Sequence, residues 1–155
     1  MKPIRAAGIV LKGDKVLLMH RVKNSDEYYT FPGGSVEENE TIESAVLREI
    51  LEETTLKVEL GKEVYFHNYE TSEGHYFLCE YLGGKPKLGE SIEKERMEKG
   101  KDDSYKPKWV GIKKLKIMLI YPLEIRDWLI DDLENGFSME VRVAKLKTSE
   151  LRQTL

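Results

Sequence analysis

Gly33–Leu56, GGSVEENETIESAVLREILEETTL, is the stretch whose reading decides the fold. Thr41 reads as a helix N-cap, and Glu43 falls in the first turn, where the macrodipole favours an anion. Ile42, Ala45, Val46, Leu47 and Ile50 recur at helical spacing as an apolar stripe. Glu49, Glu52 and Glu53 fall largely outside that stripe and share one face, being related by three and four positions. They crowd the helix C-terminus, where the dipole favours cations. Glu49 and Glu53 are also like charges one turn apart, which costs about 0.2–0.5 kcal/mol. The arrangement opposes local stability, so something outside the helix must compensate it.

A hard divalent cation would do so. Mg²⁺ takes oxygen ligands in octahedral geometry, keeps several waters and bridges to substrate phosphates. Gly33 and Gly34 let backbone approach such a site with no side chain in the way, and a carbonyl there can add a ligand. The cluster therefore reads as a metal site that awaits a polyphosphate. Charge alone would equally describe a solvated acidic helix face.

Spacing separates the two readings. Gly34, Glu40 six positions on, then Arg48-Glu49-Ile50-Leu51-Glu52-Glu53 and Leu56 resemble the Nudix box, Gx5Ex7REUxEExGU with U aliphatic, over residues 34–56. Phe31-Pro32-Gly33 is similar to the family's lead-in. Two positions depart from the pattern. Thr55 stands at the box glycine, and Asn39 stands where a glycine often precedes Glu40. Asn tolerates a left-handed turn, whereas a β-branched residue at positive φ is strained.

The resemblance implies an α/β fold of the Nudix type, an α/β/α sandwich around a mixed β-sheet. It implies hydrolysis of a nucleoside diphosphate linked to a further moiety, with Mg²⁺, or Mn²⁺ in its place, as cofactor. By matching position, Glu49, Glu52 and Glu53 are the implied metal ligands, with the Gly33 carbonyl. Glu52 or Glu53 would also orient or deprotonate the attacking water. Arg48 matches the arginine that pairs with the box glutamates, and Gly34 and Glu40 match its structural positions. Some family members draw a base or a further ligand from a distant loop, and Glu90, Glu93, Glu95 and Glu98 are the candidates here.

Outward from the box, RAAGIVLKGDKVLLMHR reads as two strands joined at Gly13-Asp14. YYTFPGG reads as punctuation, not as part of an element. LKVELGKEVYFHNY and HYFLCEYL read as strands, with Gly61 as a candidate break in the first. Residues 83–104 are polar and charged and read as a long loop, a length that is usually functional or disordered. YKPKWVGI reads as a strand, with Trp109 expected under the last helix. PLEIRDWLIDDLENG reads as that helix, with Pro122 in its first turn. MEVRV alternates and offers a last edge strand, so the tail 136–155 is an added edge on a single domain spanning 1–155. That edge could also pair two copies into a homodimer.

Several residues carry two readings. Tyr28, Tyr29 and Phe31 could stack on a base or simply pack. Arg21, Lys23 and Arg96 could meet phosphates or only solvent. His20, His67 and His75 show no metal spacing and read as strand residues. A single cysteine, Cys79, excludes an internal disulfide and reads as a packing residue.

The bulk balance bounds the partners. A net charge of −3 gives no basic field for nucleic acid. No apolar run approaches a membrane span, and AAGIVL is too short for a signal peptide, so a cytoplasmic protein is expected. A nucleotide is the expected partner. Subgroups are told apart 15–18 residues beyond the box, by a proline in ADP-ribose hydrolases or a tyrosine in dinucleoside polyphosphate hydrolases. Residues 71–74, Thr-Ser-Glu-Gly, hold neither. By elimination a nucleoside triphosphate, standard or modified, leads. ADP-ribose, a nucleotide sugar or a dinucleoside polyphosphate is the alternative, and a non-catalytic nucleotide sensor is the reading from another class.

Overall fold

A computed structural model describes residues 2–89 and 104–145. The candidate loop residues Glu90, Glu93, Glu95, Arg96 and Glu98 lie outside the described residues. So does the end of the tail, residues 146–155.

Strands β1 (Ile4–Lys12) and β2 (Lys15–Lys23) form the expected hairpin, paired at Leu11↔Val16 and Lys12↔Lys15. Beyond that they diverge. β1 takes β6 (Glu73–Gly83) in parallel on one edge and β4 (Gly33–Ser35) on the other. β2 takes β7 (Ser104–Gly111) and β3 (Asp26–Thr30). β5 (Lys57–Asn68) lies outside β6, and β9 (Arg142–Ala144) pairs with it in parallel at the end of the sheet. A two-residue β8 (Ile120–Tyr121) ends the other side. The described strands thus make one mixed sheet.

Period-2 alternation along β1 sorts its two faces. Ala6 and Val10 join Leu17, Ala45, Val46 and Ile50 in a core beneath α1 (Ile42–Thr54). Ala7 and Ile9 join Leu18, Phe31, Tyr65, Ile125 and Leu129 in a second core beneath α2 (Leu123–Asn135). Helix, sheet and helix make the expected sandwich. Among the described residues no helix is long and apolar enough to cross a membrane.

Four local readings need correction. YYTFPGG is not all punctuation, because Tyr28–Thr30 belong to β3 and Gly33-Gly34 to β4. Asn24 and Ser25, both at positive φ (51° and 71°), make the two-residue turn that folds β3 onto β2. Gly61 does not end β5, which runs past it with register shifts. Pro122 is the N-cap of α2, extended at ψ 142°, and not a first-turn residue. Trp109 packs in the core beneath α1, edge-on to Tyr81 at 5.4 Å, and not under the last helix. A 3-10 turn over Ile112–Ile117 also precedes β8.

Candidate active site

The glycines and the helix meet through β4. Its ladder to β1 uses every second residue: Gly8 N–H donates to Pro32 O at 2.9 Å and Val36 N–H to Ile4 O at 2.9 Å. The carbonyls between point the other way. Ser35 O accepts from Arg48 Nη2 at 3.0 Å, and alternation puts the Gly33 carbonyl on that same edge. At Gly34 a Cβ would stand 2.5 Å from the Glu49 carboxylate, so a larger residue would push that carboxylate from its place.

Thr41 caps α1 as expected, its Oγ1 accepting from Ser44 N–H at 3.1 Å. Ala45, Val46 and Ile50 are buried, while Leu47 stays 40% exposed. Arg48 then gathers the box. Nε and Nη2 fork onto Glu40 at 2.7 and 2.9 Å, and Nη1 reaches Glu49 at 2.9 Å and Glu52 at 3.2 Å. Glu37 stands 3.8 Å away. One guanidinium thus serves four carboxylates. Arg48's bond, followed by one from the Glu37 backbone, holds the Glu40 carboxyl down at about 2. Glu40's bond in turn keeps the guanidinium charged far beyond any working pH.

Glu53 is held differently. It is 1% exposed and accepts a hydrogen bond from the phenol of Tyr105 at 2.8 Å. Tyr105 sits on β7 opposite Arg21 of β2, whose guanidinium lies 5.1 Å from the ring centre. The box and the Arg21 end of β2 therefore meet at Tyr105. The sequence reading missed this residue, since its only signal was alternation with Pro107 and Trp109, and the β2–β7 pairing that places it is non-local.

The other candidates are dispersed. Phe31 is 1% exposed and packs edge-on to Tyr76, so its ring lies in the core and offers no face to a base. Tyr29 stacks on His20 at 4.7 Å, and His20 bonds Glu27 at 2.7 Å. Lys23 stands opposite Asp26 in the β2–β3 register, at the hairpin tip. Cys79 is buried, and burial pushes its thiol up to about 12, so it supplies no thiolate.

The donor set fits a hard cation by its chemistry, because Glu49, Glu52, Glu53 and the Gly33 carbonyl offer oxygen and nothing softer. Among the described residues, however, no three acidic, imidazole or thiol groups stand together as a finished cage. Arg48 draws Glu49 and Glu52 one way, and Tyr105 draws Glu53 another.

Residues 2–129 match the family described as NUDIX domain. A stretch of 90 residues is 40% identical to an ADP-ribose pyrophosphatase of Methanocaldococcus jannaschii, covering 54% of this chain and 53% of that protein. The chain thus spans about half the length of that curated relative. A NUDIX hydrolase from Nitrosomonas europaea superposes with a TM-score of 0.72 at 19% identity, over 95% of this chain and 80% of that one. An ADP-ribose pyrophosphatase from Streptococcus suis does so at 0.64 and 19% identity, over 94% and 100%. These two solved structures support the fold.

Proposed function

Because this chain belongs to the NUDIX family, we propose that it is a metal-dependent pyrophosphohydrolase acting on a nucleoside diphosphate linked to a further group. The observation that carries the reading is the Arg48 clasp. It gathers Glu40, Glu49 and Glu52 around one guanidinium, with the Glu49 carboxylate against Gly34 of β4. A divalent cation bound there, Mg²⁺ first among them, would offset charge on the bridging phosphate oxygens.

The chain's own residues divide the remaining work. Arg48 fixes the carboxylates and keeps their mutual repulsion in check. Glu49, Glu52 and Glu53 would bind the cation with the Gly33 carbonyl. Glu52, partly exposed, or Glu53, buried, would accept the proton of the attacking water. Arg21 lies over the ring of Tyr105, whose phenol bonds Glu53, and would meet a phosphate of the bound substrate.

ADP-ribose is the substrate we favour, on the strength of the relative from Methanocaldococcus jannaschii. Water adds to one phosphorus, the P–O bond of the bridge breaks, and AMP and ribose 5-phosphate leave. A nucleoside triphosphate, giving a monophosphate and pyrophosphate, is the second reading. It is favoured by the lack of a proline among residues 71–74.

A screen of Mg²⁺-dependent hydrolysis tests both, with Glu53→Gln as control. It would cover ADP-ribose, standard and oxidised nucleoside triphosphates, nucleotide sugars and dinucleoside polyphosphates. The expected result is one dominant substrate whose turnover falls by orders of magnitude in Glu53→Gln. The variant should fold, because its amide oxygen can still accept from Tyr105. A fully active Glu53→Gln would remove Glu53 from the site. Nucleotide binding with no turnover of any compound would favour the sensor reading.

A further inference from the structure

We infer that Tyr105 is a positioning residue for Glu53, fixing which carboxylate oxygen that glutamate presents to a divalent cation. The inference rests on the metal-site reading above.

The phenol is built to hold one place. Tyr105 is 3% exposed, and its backbone belongs to a ladder running from Lys15↔Gly111 to Val22↔Ser104. The Arg21 guanidinium covers the ring at 5.1 Å, so rotation of the phenol would give up that contact. Its O–H donates to Glu53 Oε2 at 2.8 Å. A glutamate has three side-chain torsions to fix, and this bond anchors the far end of the last one. Oε1 is then directed by the geometry of the carboxylate itself.

The donor's chemistry suits the task. A guanidinium neutralises the carboxylate it binds, as Arg48 does for Glu40. A phenol with its ordinary proton orients a carboxylate and leaves the negative charge in place. The box therefore uses two kinds of support. Arg48 supplies counter-charge to Glu40, Glu49 and Glu52, and Tyr105 supplies direction to Glu53. Outer partners of this kind typically change metal affinity or activity by about 10–100-fold when removed.

The test compares wild type, Tyr105→Phe, Glu53→Gln and the double variant. Mn²⁺ binding is read on the protein alone from the EPR signal of the free ion, beside kcat, KM and thermal melts. Tyr105→Phe is expected to weaken Mn²⁺ about tenfold. It should raise the Mg²⁺ needed for half-maximal rate, with KM at saturating metal unchanged. The double variant should bind Mn²⁺ as Glu53→Gln does, because Tyr105 acts through Glu53. A lower melting temperature with unchanged Mn²⁺ affinity would make the bond purely structural and overturn the inference. Should Tyr105→Phe not fold, the double variant decides, since further weakening beyond Glu53→Gln would also overturn it. Wild-type protein that binds no Mn²⁺ would overturn the metal reading, and this inference with it.

Discussion

Single residues in this chain carry strain that the box pattern makes visible. Asn39 and Thr55 stand where glycines are usual, and both adopt positive φ, 66° and 60°. Asn does so at little cost, but a β-branched side chain in the left-handed region costs about 1–3 kcal/mol. Thr55 recovers little of this, because among the described residues its hydroxyl reaches only Lys85 O, at 3.4 Å. Thr55→Gly should therefore stabilise the protein by about 1 kcal/mol, after allowing for glycine's looser unfolded chain. Urea denaturation reads this directly, and an unchanged or lower midpoint would mean the Lys85 contact outweighs the strain. Positions 39 and 55 were legible because the box assigns them a backbone conformation. Asn24 and Ser25, also left-handed, were not, because neither is a glycine and no motif marks that turn. Tyr105 shows the same limit at the site: its residue type is compatible with many strands, and only the fold brings it to Glu53.

At the level of elements, α1 explains how a helix tolerates acids at its negative end. Its last turn holds no basic residue, so relief comes from groups within the helix and from the chain that crosses its end. Thr54 Oγ1 donates to Ile50 O at 2.6 Å and accepts from Leu56 N–H at 3.2 Å. The chain after β6 then crosses the end: Lys87 N–H donates to Thr54 O, and Gly89 lies so close that a Cβ would stand 2.4 Å from Glu52 O. Arg48 does the electrostatic part, one helical turn before Glu52. Arg48→Ala leaves Glu40 and Glu49, with side chains only 14% and 12% exposed, facing each other without it. A loss of about 2 kcal/mol is expected, below the range for fully buried pairs because the site is partly open. Arg48→Lys should recover less than half, since an ammonium cannot fork across Glu40 and still reach Glu49. A Arg48→Ala protein as stable as wild type would show that the clasp contributes nothing net. The Thr41 cap of α1 and its buried Ala45, Val46 and Ile50 were readable because they depend on local spacing, whereas at α2 Pro122 is the cap and not a first-turn residue. β4 and β8 were not, because Gly33-Gly34 and Ile120-Tyr121 become strands through neighbours distant in sequence; β3 was not, because the Asn24-Ser25 turn that folds it onto β2 carries no glycine.

Across the whole molecule both cores have buried polar groups beside them. Glu49, Glu53 and Thr54 are buried on α1, and His67 and Asp132 at the α2 face. Tyr65 donates to Asp132 at 2.6 Å, and Arg142 of β9 bonds the same carboxylate at 3.0 Å. Nearby, His67 is 4% exposed, 2.9 Å from the Tyr76 hydroxyl and stacked on Tyr69 at 4.2 Å. Burial, helped by Arg5, lowers its proton affinity to about 4 from an ordinary 6.5. Between those values the unfolded chain binds more protons than the folded one, so stability rises with pH. The contribution of His67 is complete above about 6.5 and is lost as pH falls toward 4; the gap is worth up to about 3 kcal/mol. Glu40 acts in the same direction but lower. Its contribution is complete above the ordinary 4.5 and is lost toward about 2. Acid should therefore weaken the fold in two steps, first from the α2 side and then from the box. Urea titrations from pH 7.5 to 4.5 isolate the first step, where wild type should lose about 2 kcal/mol. His67→Gln keeps a polar partner for Tyr76 but cannot titrate, so its stability should stay nearly level over that range, from a lower starting value at pH 7.5. Parallel losses in the two proteins would assign the acid sensitivity to groups other than His67.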